Sequence, residues 1–168
     1  MAAISRLYLD TNIFIAFKET GGEIGQLLVD LIAAVPLDDR PFLVTSELTL
    51  AELLTKPLSD GRKQIAEEYD GWLVPSRWLS VEPVTREVLR TSARVRARYK
   101  SIKLPDAIHL STALGHGCSH LLTADTGIRE SYDLAPAEHG TSHRTASLSV
   151  LRPETDVVRG IIAGLAGK

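Results

Sequence analysis

The sequence predicts an α/β fold in which a mostly parallel sheet is covered on both faces by helices. Three features of the chain point there. Short apolar runs alternate with stretches of helical periodicity, the pattern of strand–helix–strand units. The run Phe42-Leu43-Val44 is continuously apolar, as suits a strand buried on both faces. The 168 residues, 44% hydrophobic and 24% charged, suffice for one ordinary domain with a sizeable core. Residues 1–168 are therefore expected to form a single domain.

Each element has a local reason. Leu7-Tyr8-Leu9 reads as the first strand and stops at Asp10. The apolar burst at 13–17 reads as a short helix. Residues 23–35 carry apolar side chains at 24, 27, 28, 31, 32 and 35, one face of a helix. Pro36 and Pro41 mark a loop before the strand at 42–44. Ser46 suits the N-cap of a helix ending near Lys56, ahead of Pro57. A further helix follows at 60–72, and 78–84 reads as a strand. Thr85 suits the cap of a helix reaching about Tyr99. Pro105 fits the first position of the next helix, which Gly115 or Gly117 ends. Residues 120–123 form a strand closed by Ala124-Asp125. The polar, turn-rich segment 131–145 reads as a loop. Residues 147–151 alternate as a last strand, and 154–165 form a terminal helix.

Composition excludes several classes. The one cysteine, Cys118, rules out an internal disulfide or a thiolate metal cage and fits a reducing, cytoplasmic setting. No apolar run approaches the ~18 residues of a membrane span, and the opening segment lacks a signal peptide's long apolar stretch. A net charge of −2 gives no global basic field, so nucleic-acid binding must use a local patch.

In open parallel sheets, ligands bind outside the carboxyl ends of the strands. Asp10 and Asp125 each end a strand. Asp106 lies in the first turn of a helix, and Glu52 within two turns of the strand at 42–44. Four carboxylates from four segments thus map to one end of the domain. Such acids are often only turn or cap residues. Here Asp106 shares a helix face with Leu110 and Ala113, and Glu52 with Leu48, so both border a core-facing stripe. Burying an unpaired charge is costly, and no Lys or Arg is near enough in sequence to pair with all four. A divalent cation meets that need. Mg²⁺ and Mn²⁺ prefer oxygen ligands, and such an ion suits phosphodiester hydrolysis. Without it the carboxylates repel one another, and at least one pKa is expected to rise.

The segments LYLDTNIFI, TSELTLAELLTKPL, LPDAIHLSTAL and HLLTADTGI resemble, in order and spacing, the four motifs of the PIN domain. In pattern they are nearest to VapC-type toxins of toxin–antitoxin systems, over about residues 5–152. The resemblance implies a three-layer Rossmann-like fold and a metal-dependent endoribonuclease. Its catalytic and metal-binding acids carry over to Asp10, Glu52, Asp106 and Asp125. Glu47 competes with Glu52 for the second place; Glu52 is preferred because it stands between a small residue and a leucine, Ala51 and Leu53. Asn12 and Thr123 match polar positions that can orient the carboxylates or hydrogen-bond metal waters. Also implied are an RNA substrate, Mg²⁺ or Mn²⁺, a homodimer, and an antitoxin partner whose arginine would pair well with the quartet.

Other features carry less. Arg86, Arg90 and Arg94 form an i, i+4 stripe within a basic stretch broken only by Glu87. A solvated helix face is the plain reading; phosphate contact is the functional one, because an acidic pocket does not attract RNA unaided. His139 and His143 fall short of the usual ligand count of a zinc site. His109 reads as a helix-surface residue at the rim of the site, and Cys118 as packing. Segment 131–145 suits a specificity loop or partner contact, and helix 154–165 suits dimer packing. Three other functions compete: a PIN nuclease of RNA processing, a non-catalytic RNA-binding or assembly module, and a phosphatase using Asp10 as nucleophile. Asn12 stands where the phosphatase pattern needs a second acid.

Overall fold

The computed structural model describes residues 4–19, 22–134 and 146–166. Among them, six strands form one sheet: β1 (Leu7–Leu9), β2 (Leu43–Ser46), β3 (Leu79–Glu82), β4 (His120–Leu122), β5 (Ser131–Leu134) and β6 (Ala146–Leu151). Their order is β3-β2-β1-β4-β6-β5. All neighbours are parallel except β5, which runs antiparallel to β6. The helices are α1 (Thr11–Glu19), α2 (Glu23–Ala34), α3 (Glu47–Ser59), α4 (Lys63–Trp72), α5 (Arg86–Arg98), α6 (Leu104–Gly115) and α7 (Thr155–Ala166).

Alternation along β1 shows why the inner strands are apolar throughout. Leu7 and Leu9 enter one core with Phe14 of α1, Leu28 and Leu31 of α2 and Leu53 of α3. Tyr8 points the other way, into a second core with Val95 of α5 and Ala107, Leu110 and Ala113 of α6. Every residue of β1, β2 and β4 is buried. Whichever way a side chain points, it meets a helix layer, so the three-layer α/β architecture holds. Among the described residues, no helix is long and apolar enough to cross a membrane.

The winding fixes where a site can open. From β1 the chain proceeds to β2 and β3 on one side, then crosses to β4 on the other. Tyr8 pairs with Leu121 and Leu9 with Leu122, so β1 and β4 are neighbours across the reversal. The crevice of a doubly wound sheet lies at that switch point, beyond the strands' carboxyl ends.

Local signals act largely as expected. The Thr85 side chain accepts from Val88 N at 3.3 Å and caps α5. Thr85→Ala is expected to cost about 1 kcal/mol, visible in calorimetry as a melting point lower by about 2–4 °C. Gly117, just past α6, has φ +72°, a left-handed conformation that favours glycine. Cys118 is a buried packing residue, and burial pushes its thiol up to about 12.

Three expectations change. Helix α3 continues through Pro57 to Ser59 instead of ending near Lys56; the buried Pro57 removes one amide donor, and Asp60 N still bonds Lys56 O at 3.0 Å. Ser46 holds the N-cap position of α3 but makes no cap bond with its side chain. Residues 131–134 of the expected loop form the edge strand β5, in which Ser131 and Asp133 are exposed while Tyr132 is buried opposite Leu148. The polar residues there mark one solvent-facing side of a strand. The remainder, 135–145, with His139 and His143, lies outside the described residues. Helix α7 buries Val158, Ile161 and Leu165 in the core that α2 shares, and Arg159 pairs with Glu23 at 2.7 Å. That apolar face is used within the chain.

Candidate active site

Asp10 sits where β1 gives way to α1, and only 7% of it is exposed. Its carboxylate is held by donors from three residues. Thr11 N donates to Oδ1 at 2.7 Å, while Asn12 Nδ2 and Thr123 Oγ1 each donate to Oδ2 at 2.6 Å. The Thr123 hydroxyl also accepts from Asn12 Nδ2 at 2.9 Å and from Asp125 N at 3.0 Å. Its one donor and two acceptor positions are thereby filled. Asn12 Oδ1 accepts from Ala124 N at 2.8 Å. Asn12 and Thr123 therefore tie the end of β1 to the end of β4 and hydrogen-bond the Asp10 carboxylate.

Glu52 approaches from α3. The Thr11 hydroxyl donates to its Oε2, and His109 Nε2 lies 3.0 Å from the same oxygen and 3.6 Å from Asp10 Oδ1. Burial alone would raise the Glu52 carboxyl. The hydrogen bonds from His109 and Thr11, with the electrostatic pull of His109, outweigh it and hold the carboxyl below its ordinary value. Ligand atoms of Asp10, Glu52 and His109 lie within 4.8 Å of one another. Glu47, the competing acid, is exposed at the start of α3.

His109 is the main correction to the sequence reading. It is 2% exposed, not on the helix surface, and its Nδ1 lies 2.7 Å from the Tyr8 hydroxyl. Residues 107–113 of α6 are all buried, because this helix lies between the sheet and α5. The signal was the charge-free stretch AIHLSTA after Asp106, since a helix apolar all round is a buried one.

Asp106 and Asp125 complete the acidic edge. Burial, then the charge of Asp125, then that of Asp10 raise the Asp106 carboxyl above its ordinary value. Burial leads that rise, and the repulsion expected among the carboxylates adds to it. A raised folded pKa means that the folded protein holds this proton more tightly than the unfolded chain. The metal-free protein therefore gains stability from Asp106 as pH falls through that raised value, and bears a cost above it. Metal-free Asp106→Asn is expected to melt higher than the parent at pH 7, with the difference closing near pH 4. Solvent screening of this half-exposed group keeps the gain to about 2–4 °C at most, the scale of 1 kcal/mol.

The turn that carries Asp125 is held from two sides. Gly127 N donates to Asp125 Oδ1 at 2.7 Å, and a Cβ at Gly127 would stand 3.1 Å from that oxygen. Arg152, just beyond β6, donates to the carbonyls of Thr123 at 3.2 Å, Asp125 at 2.7 Å and Ile128 at 2.5 Å. Sequence reasoning missed Arg152 because its contacts reach across 24 to 29 residues.

The family model of the PIN domain matches residues 7–134. The chain belongs to the PIN domain family. No curated protein sequence matches it. Among solved structures it is similar to a toxin–antitoxin complex from Klebsiella pneumoniae, at 26% identity and TM-score 0.49 over 73% of this chain and 88% of that one. It is also similar to Mycobacterium tuberculosis VapC20, a sarcin-ricin loop cleaving toxin, at 19% identity and TM-score 0.54 over 68% and 86%. A third is VapBC2 from Rickettsia felis bound to a DNA fragment from its promoter, at 18% identity and TM-score 0.53 over 71% and 86%. The latter two share the fold.

In this PIN domain the basic stripe runs along the exposed side of α5 and begins at the end away from the acids. Arg86, Arg90 and Arg94 are exposed, with Arg90 and Arg94 3.9 and 3.8 Å from Glu87. Helices α5 and α6 pack together through the short connection 99–103, which makes them antiparallel neighbours. Arg86 opens α5, a helix about 20 Å long by its 13 residues, and so lies at the end away from Asp106. The lysine whose charge reaches Asp106 is Lys103, the N-cap residue of α6.

Proposed function

We propose that this PIN domain is a metal-dependent endoribonuclease that hydrolyses RNA phosphodiester bonds, and that it is the toxin of a type II toxin–antitoxin pair. The observation that supports the nuclease reading is the grouping of Asp10 and Glu52 at the β1–β4 switch point, with Asp106 near enough to feel the charges of Asp125 and Asp10. The donor set fits a hard divalent cation: it is rich in carboxylate oxygen, and burial, with the charges of Asp125 and Asp10, raises Asp106. Among the described residues, no Lys or Arg forms an ion pair with any of the four.

Asp10 and Asp106 are read as direct ligands of Mg²⁺ or Mn²⁺, and Glu52 and Asp125 as ligands either directly or through water. The bound ion would supply polarisation of the phosphodiester and charge compensation at the leaving oxygen. The chain's own part is positional. Asn12 and Thr123 fix the Asp10 rotamer; Thr11 and His109 fix Glu52; Gly127 and Arg152 hold the turn of Asp125. Each carboxylate thus enters the reaction already oriented, which lowers the cost of assembling the site.

The toxin reading rests on the motif resemblance over residues 5–152, and the fold shared with VapC20 and VapBC2 accords with it. On this reading the whole chain is one cytoplasmic domain that pairs with an antitoxin and with a second copy of itself. Exposed Arg86, Arg90 and Arg94 would contact RNA beyond the scissile bond.

Partner-free protein incubated with total RNA tests the nuclease reading. Fragments are expected with Mg²⁺ or Mn²⁺, abolished by chelator and restored by excess ion. RNA bound but left intact under every metal condition overturns the reading in favour of a binding module. Growth arrest on expression, relieved by a small protein encoded alongside, tests the toxin reading; unaffected growth contradicts it.

A further inference from the structure

We propose that His109 Nε2 is itself a ligand of the divalent ion, which makes this a mixed carboxylate–imidazole site that favours Mn²⁺ over Mg²⁺. The inference rests on the metal-dependent reading above and goes beyond its four acids.

Placement is the first reason. His109 Nε2 lies 3.0 Å from Glu52 Oε2 and 3.6 Å from Asp10 Oδ1. Ligands about 2.1 Å from a six-coordinate ion stand about 3.0 Å apart when adjacent and about 4.2 Å when opposite. The nitrogen is thus already spaced as a ligand beside both carboxylates. Like Asp106 it comes from α6, but it is fully buried where Asp106 is partly exposed.

The second reason is an unfinished hydrogen-bond chain behind the ring. Nε2 faces carboxylates, which only accept, so in the neutral ring it carries the hydrogen and Nδ1 accepts from the Tyr8 hydroxyl. Burial above all keeps Tyr8 protonated. On the neighbouring strand Tyr8 pairs with Val44, and Ser46 stands two residues on, facing the same side. Ser46 Oγ is fully buried beside the Tyr8 hydroxyl, near enough to influence it but without a well-formed hydrogen bond to it or to any other group. A buried hydroxyl left unpaired is costly.

Metal binding at Nε2 closes that chain. The ring hydrogen passes from Nε2 to Nδ1 through solvent, so the neutral imidazole keeps its proton count. Nδ1–H then donates to the Tyr8 oxygen, and the Tyr8 hydrogen turns to Ser46 Oγ. Every polar atom from the ion to Ser46 is paired. A ligating histidine whose second nitrogen is fixed by a hydrogen bond is the usual arrangement. Mg²⁺ keeps to oxygen ligands, whereas first-row transition ions accept an imidazole nitrogen, and Mn²⁺ is the one of them that also suits a carboxylate-rich site; that combination gives the preference for Mn²⁺.

The test uses the full chain, free of partner, with Mn²⁺ as the probe. Pulsed electron paramagnetic resonance of the Mn²⁺-loaded protein is expected to show the nitrogen modulation of a coordinated imidazole. His109→Gln, which keeps a donor for Glu52, is expected to lose that modulation. Its affinity for Mn²⁺ should fall about 10-fold or more, the scale of losing a tuning group, and that for Mg²⁺ by less. Mn²⁺ bound to the parent protein without nitrogen modulation overturns this inference and leaves the four-acid site standing. No saturable binding of either ion overturns both. The parent spectrum decides the matter even if His109→Gln does not fold.

Discussion

Asp10→Asn is expected to lower RNA cleavage about 10²–10³-fold, the scale of removing one preorganised electrostatic group from a site. Asp10 is the centre of the arrangement. It binds the end of β1 to the end of β4 through Asn12 and Thr123, faces His109, and its charge reaches Asp106. Asparagine has nearly the same shape, so the fold should survive. It replaces one of two accepting oxygens with a donor, although donors from three residues already face that carboxylate. The change therefore removes a metal-binding charge and sets one donor against another. Initial rates at saturating metal, with far-ultraviolet circular dichroism as a check on folding, measure the effect. Unchanged cleavage by a folded variant would remove Asp10 from the mechanism.

Arg152→Ala carries the second large effect. One guanidinium fork donates to three carbonyls of the turn that presents Asp125. Hydrogen bonds from charged donors are the stronger ones, and the carbonyls of Thr123 and Ile128 belong to buried residues. The expected cost is about 2–3 kcal/mol in denaturant unfolding, below the sum of three such bonds because the turn relaxes. Cleavage should fall about 10–100-fold, as when a group that orients a ligand is lost. Arg152→Lys keeps the charge without the fork and should recover only part of either loss. Wild-type activity in Arg152→Ala would show that Asp125 needs no such support.

Elements are most legible in the sequence where the chemistry is local. Leu7-Tyr8-Leu9 followed by Asp10, and His120-Leu121-Leu122 closed by Asp125, place two acids at strand ends by periodicity alone. The helix face shared by Asp106, Leu110 and Ala113 places the third, and the one shared by Glu52 and Leu48 the fourth. What remained hidden depends on distant partners. His109 looks like a surface residue until α6 is seen between the sheet and α5. Arg152 sits in an ordinary Arg-Pro pair whose targets lie across the sheet edge. Pro57 stops a helix in isolation, yet its ring is buried within α3. The stripe of Arg86, Arg90 and Arg94 is legible as exposed, but its start at the end away from Asp106 requires the packing of α5 on α6.

Metal titration by thermal shift, comparing the parent protein with Asp10→Asn, tests the acidic cluster as a divalent-cation site most directly. An ion that binds only the folded state adds about 2.7 kcal/mol at 100 times its Kd, or roughly 5–10 °C for a chain of this size. Mn²⁺ and Mg²⁺ are expected to raise the melting temperature of the parent saturably, and that of Asp10→Asn little or not at all. Equal responses in the two proteins, or none in either, would contradict a metal site built on Asp10.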